Sequence, residues 1–157
     1  MGLSSLQIKL LHSPPMTEVI IDQALLDTFK RRALRAYPTE YAMSLWGKID
    51  GEAAEIHAML EVNVLAANED EIEFEVDAGN ETMAGQGLTL LGALHSHCVN
   101  GACAPSEADY ETFADWPLIG ICAIRRTLKR RFVSYAFFNG KREQLELTIG
   151  EGNDKEN

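Results

Sequence analysis

Four leucines, Leu88, Leu90, Leu91 and Leu94, fill an apolar run that starts at Gly87 and ends in His95-Ser96-His97. The run is too short for a helical stripe and reads as a buried strand from Gly87 to His95. Such a strand must lie inside a sheet, and this one delivers two histidines to its end. Side chains at i and i+2 of a strand project to the same side, so both imidazoles can converge on one point. A loop from Cys98 to Pro105 follows. A helix is then expected from Ser106 to Trp116, opening on Ser106-Glu107-Ala108-Asp109 with Ser106 as its N-cap.

The rest of the chain supplies the sheet around that strand. A helix is expected from Gln23 to Arg35, with Asp22 as N-cap and Leu25, Phe29 and Ala33 at i, i+4, i+8 beside Leu26. Pro38 prevents its continuation. Glu40 to Lys48 and Ala53 to Val64 read as a hairpin about the Asp50-Gly51 turn. Ile56, Leu60, Val62 and Val64 share one face of the second strand. Ile72, Phe74 and Val76 alternate with Glu71, Glu73 and Glu75, which marks a half-exposed strand. The stretch from Asp77 to Gln86 is short and polar. Leu118 to Arg125 and Arg131 to Phe138 read as strands. Asn139-Gly140 is a hairpin signal, after which Lys141 to Ile149 is expected to close the sheet. The expected architecture is a mixed, largely antiparallel sheet with two main helices packed on it, an α/β or α+β layered fold. Residues 1–150 are expected to form one domain and residues 151–157 a disordered polar tail.

A chain of 157 residues can bury a sizeable core without disulfides, and its three cysteines are not a paired framework. Cys122 lies in an apolar run and is expected in the core. A net charge of −10 argues against a nucleic-acid partner, whose phosphates call for Lys and Arg. No apolar run approaches the ~20 residues that cross a bilayer. No signal peptide is read in residues 1–15, and a cytoplasmic location is the expectation. The one basic cluster, Arg125-Arg126-Thr127-Leu128-Lys129-Arg130-Arg131, reads as a solvated turn or as a docking patch for an acidic partner.

Two imidazoles and one carboxylate suit Zn²⁺, at ligand distances of about 2.0–2.2 Å. His95, His97 and Asp109 would leave a fourth position for water, as catalytic zinc requires. Metal-bound water titrates near ~7 and supplies hydroxide at neutral pH. Each half of the pattern has a plainer reading. Histidines at a strand end are commonly ordinary residues, and Ser-x-x-Asp is itself a helix-capping pattern. Their combination, in this order on a strand, a loop and a helix start, is the specific signal.

These residues resemble the JAMM, or MPN-plus, metalloprotease family. Leu94-His95-Ser96-His97 and Pro105-Ser106-Glu107-Ala108-Asp109 match its central motif. Tyr37-Pro38-Thr39-Glu40, followed by a strand reaching Gly47, looks like its upstream Glu segment. The resemblance covers roughly Ile21 to Ile149 in element order and implies a cytidine-deaminase-like architecture. It implies one zinc ion per chain, held by His95, His97 and Asp109. It implies that Glu40 takes a proton from zinc-bound water and returns it to the leaving amine, while Ser106 hydrogen-bonds the oxyanion. It further implies a peptidase or isopeptidase acting after the C-terminal tail of ubiquitin, a ubiquitin-like protein or a sulfur carrier, and a possible homodimer or partner subunit. The alternative is an MPN scaffold or binding module without turnover. A zinc nucleobase deaminase is disfavoured, because its His-x-Glu and Cys-x-x-Cys spacing is absent. Cys98 and Cys103 read as loop side chains dispensable for metal binding, with a disulfide or thiolate ligation as the alternatives. His12 and His57 are expected not to be ligands, His57 facing solvent.

Overall fold

The computed structural model describes residues 16–99, 103–113 and 116–151. His12 and residues 152–157 of the expected tail lie outside them. The histidine-bearing strand, β6 (Thr89–His97), runs inside the sheet between β2 (Ala42–Asp50) and β7 (Leu118–Arg126). It pairs antiparallel with β2, where Ala42 stands opposite His95, and parallel with β7, where His97 stands opposite Ala123. From Leu91 to Ser96 every side chain of β6 is buried. Gly92 is required there, because a Cβ would collide with the backbone carbonyl of Leu118 on β7.

The sheet continues through β3 (Ala53–Glu61), β1 (Glu18–Asp22), β8 (Arg131–Asn139) and β9 (Glu146–Gly150), in the order β8-β7-β6-β2-β3-β1-β9. The fold is mixed α+β with a mostly sheet core. Its antiparallel ladders are β2–β3, β2–β6 and β7–β8; β1–β3, β1–β9 and β6–β7 are parallel.

Three helices cover it among the described residues. The long one, α1 (Gln23–Ala36), buries Leu26, Phe29 and Ala33. These join Val19, Leu45, Leu94 and Phe137 in the larger core cluster. Full burial of a side chain such as Phe29 contributes about 1.5–3 kcal/mol. Leu26, rather than Leu25, occupies the centre of the buried stripe. Asp22 stands at the N-cap with extended backbone, but its side chain makes no capping bond. On another part of the sheet, Phe113 packs with Ala93, Ile119, Ile121 and Phe138. Phe113 closes α3 (Glu107–Thr112), which is shorter than the expected helix from Ser106 to Trp116. The polar stretch before β6 holds a further short helix, α2 (Glu81–Gly85), capped by Asn80, whose side chain accepts from Met83 N–H at 3.0 Å. Met83 packs there on Trp46 and Leu88.

Two expected strands behave differently. Ala53 to Val64 is not one strand. β3 ends at Glu61, and the chain turns off into β4 (Asn63–Ala67), which pairs with β5 (Ile72–Glu75) as a separate two-stranded ribbon. The Lys141–Ile149 segment does not simply return along β8. The Asn139 side chain accepts from Lys141 and Glu143 N–H, and Arg142 takes the positive φ of 66°. The turn therefore consumes residues up to the Phe138–Gln144 bridge. Glu146 N–H then donates to Thr17 C=O at 2.9 Å, and β9 pairs in parallel with β1 at the opposite end of the strand order. Among the described residues no helix is long and apolar enough to cross a membrane.

Candidate metal centre

Strand pleat and one helix cap bring His95, His97 and Asp109 together. The two Nε2 atoms lie 3.1 Å apart. Asp109 straddles them, Oδ1 standing 3.2 Å from His95 Nε2 and Oδ2 standing 3.1 Å from His97 Nε2. Ligand atoms about 2.0–2.2 Å from an ion at tetrahedral angles stand about 3.3–3.6 Å apart. The observed spacing is close to that edge length. One nitrogen–nitrogen–oxygen set, partly buried and converging on a single point, fits zinc in both geometry and ligand type.

The capping box fixes the carboxylate. Ser106 Oγ accepts from Asp109 N–H at 3.1 Å, and Asp109 Oδ2 accepts from Ser106 N–H at 2.9 Å. One carboxylate therefore makes the helix cap and also belongs to the group that could hold a metal. Burial pushes the Asp109 carboxyl up, but the hydrogen bonds from His95 and His97 outweigh it. The group is held well below the usual carboxylate range and stays anionic. His95 is 1% exposed and its ring lies 5.7 Å from that of Phe113. Its Nδ1 is buried without a partner among the described residues, so packing and the Nε2 contact with Asp109 set the ring's orientation.

Glu40 is brought beside this group. It precedes β2, is 7% exposed, and feels the charges of His97 and Asp109. Burial pushes its carboxyl up to about 7; His97 lowers it, while Asp109, Asp70 and Glu71 raise it. A carboxyl poised near neutrality suits general acid–base work. Two contacts that the sequence reading missed hold it. Ser96, between the histidines and fully buried, points its Oγ to Tyr41 N–H at 2.8 Å, and its own N–H donates to Tyr41 C=O at 2.8 Å. Glu40 N–H donates to Asn68 C=O at 2.9 Å, which ties it to the ribbon turn. The alternation that sends His95 and His97 one way sends Ser96 the other, so its role was accessible from the pattern. Asn68 carried no signal.

Cys98 and Cys103 are free thiols, and neither falls within the three-residue group. Cys98 Sγ lies 3.9 Å from Ser96 Oγ, and Cys103 Sγ lies 3.6 Å from Ser134 C=O. Cys122 is in the core, where burial pushes its thiol up to about 12. His57 is exposed beside Glu55, at 3.4 Å, and away from the site.

The family described as prokaryotic homologs of the JAB domain matches residues 22–135. The chain belongs to that family. Its fold is similar to that of protein DSY2949 from Desulfitobacterium hafniense, in solution structure, with TM-score 0.60 and 19% identity over 87% of this chain and 96% of that one. It is also similar to AF2198, a JAB1/MPN domain protein from Archaeoglobus fulgidus, with TM-score 0.54 and 21% identity over 88% and 100%. A structure described as JAMM, a metalloprotease-like zinc site in the proteasome and signalosome, aligns with TM-score 0.52 and 19% identity over 88% and 100%. Among curated proteins the chain finds no significant match.

Proposed function

We propose that this protein is a zinc-dependent peptidase or isopeptidase that hydrolyses the amide bond following the C-terminal tail of a ubiquitin-like or sulfur-carrier protein. The observation that carries the reading is the convergence of His95, His97 and Asp109 beside a buried acid, Glu40.

A bound zinc ion supplies Lewis acidity and acidifies water toward neutral pH. His95 and His97 offer Nε2 to it, and Asp109 offers a carboxylate already oriented by Ser106 N–H. Glu40 accepts a proton from the attacking water and returns it to the departing amine, a cycle suited to its raised pKa. Ser106 Oγ accepts from Asp109 N–H and keeps its own proton free to donate to the developing oxyanion. Phe113 lines the His95 side and restricts water there. The extended tail would pair through its main chain with an exposed strand edge near the centre, which gives affinity.

Metal analysis combined with a cleavage assay tests this. One zinc per chain and release of a Gly-Gly tail from its conjugate, lost in Glu40→Gln with zinc retained, is the expected result. Tightly held zinc with no cleavage of any Gly-Gly-linked conjugate would instead make the chain a binding module.

A further inference from the structure

We propose that two copies of this chain associate, the hairpin joining β7 and β8 of each docking on the β4–β5 ribbon of the other. The hairpin carries Arg125, Arg126, Lys129, Arg130 and Arg131 within seven residues of a chain whose net charge is −10. Its turn is ordered: Thr127 N–H donates to Arg130 C=O at 2.8 Å, and Thr127 Oγ1 accepts from Arg130 N–H at 3.3 Å. Leu128 projects at the tip with 105% relative exposure, and Phe132 is 46% exposed behind it. Among the described residues no ion pair engages Arg125, Arg126 or Lys129.

The ribbon has the complementary character. Glu69, Asp70, Glu71, Glu73 and Glu75 are exposed on it, as are Val64 and Leu65, at 47% and 58%. All five residues of β4 are exposed. A two-stranded ribbon is marginally stable in water unless something packs on it, and here only part of one face is covered, where Phe74 meets Phe113. Four of the seven large hydrophobics exposed among the described residues lie on these two surfaces, two on each. Exposed bases beside Leu128 on one surface, and exposed acids beside the exposed strand β4 on the other, make the second copy the fitting occupant.

Position allows both contacts at once. β7 is parallel to β6 and continues past Ala123, the partner of His97, so the hairpin projects from the metal-centre end of the sheet. The ribbon turn is bonded to Glu40 at that same end. A two-fold axis can then pair hairpin with ribbon twice and close a dimer rather than a filament. Repulsion between the two net charges is screened beyond about 8 Å at physiological salt, whereas contacting pairs are not.

Sedimentation of the full chain near physiological salt tests this with two charge reversals. One variant is Arg126→Glu with Lys129→Glu; the other is Glu71→Lys with Glu73→Lys, and circular dichroism checks that both fold. The wild type should dimerise, and each variant alone should self-associate at least tenfold more weakly. A one-to-one mixture of the two should dimerise again, because the reversed hairpin of one variant meets the reversed ribbon of the other, and the unchanged hairpin meets the unchanged ribbon. A wild type that stays monomeric at the highest concentration, variants that dimerise like the wild type, or a mixture that stays monomeric would each overturn the proposal.

Discussion

Arg142 grips Glu107 with two parallel hydrogen bonds, Nη1 and Nη2 donating to the two carboxylate oxygens at 2.9 and 3.2 Å. The same guanidinium lies 4.3 Å from the centre of the Tyr110 ring. Glu107 and Tyr110 flank Asp109 on α3, a helix with no buried residue of its own. The turn after β8 thus reaches across to hold the element that presents Asp109, the carboxylate of the candidate metal centre. Exposed ion pairs contribute little unless bidentate or networked, as this one is. Arg142→Ala is expected to weaken zinc binding roughly threefold to tenfold, read by chelator competition, while thermal unfolding of the metal-free protein moves little. Arg142→Lys, which keeps the charge but not the fork, should recover only part of the loss. Unchanged zinc affinity in Arg142→Ala would remove the clamp from the site.

Glu40 makes stability depend on pH in a stated direction. Its folded carboxyl titrates at about 7 and its reference value is 4.5. Between these values the folded state holds a proton that the unfolded chain has released. In the metal-free protein Glu40 is therefore harmless below about pH 4.5, increasingly destabilising up to about pH 7, and destabilising by a constant amount above that. Glu40→Gln removes that dependence. Urea unfolding should show its advantage over the wild type growing by on the order of 3 kcal/mol from pH 4.5 to pH 8. An advantage equal at both pH values would mean that burial does not hold the proton.

Ser106 has separable duties. Ser106→Ala loses the bond to Asp109 N–H, at a cost of about 1 kcal/mol in stability, and removes the donor proposed for the oxyanion, at about 10²–10³ in kcat. Zinc content should persist, because His95, His97 and Asp109 remain. Ser106→Thr restores the cap and should restore folding stability. A rate loss in Ser106→Ala no larger than tenfold would confine Ser106 to capping.

Cys98→Ala and Cys103→Ala should each bind one zinc per chain. The ligand atoms of His95, His97 and Asp109 lie within 4.8 Å of one another without a thiolate. Loss of zinc from either variant, measured by elemental analysis, would require a sulfur ligand.

The sequence was most legible where one residue type obeyed one local rule. The β6 leucines with their histidines, and the Ser106–Asp109 cap, carried the candidate metal group almost unaided. Glu40 needed a family pattern, since among 24 acids nothing local marks it. Cooperation across the sheet was the illegible part. The departure of β4 at Val62 and the course of β9 depend on which strand edges are open, and no alternation of side chains encodes that. Asn139-Gly140 signalled a tight reversal, yet the Asn139 side chain, bonded also to Met16 C=O at 3.0 Å, widened it.

The pairing of β1 with β9 joins Glu18 to Glu146 and Asp22 to Gly150. During synthesis the first of these strands leaves the ribosome long before the second exists. Until then one side of β1 has no hydrogen-bonding neighbour. Closing so long a loop carries a large entropic cost before any contact repays it, which slows folding. Completion of the sheet thus waits until Gly150 has been made, and an emerging fragment with a bare β1 edge is the species most exposed to pairing with the wrong strand.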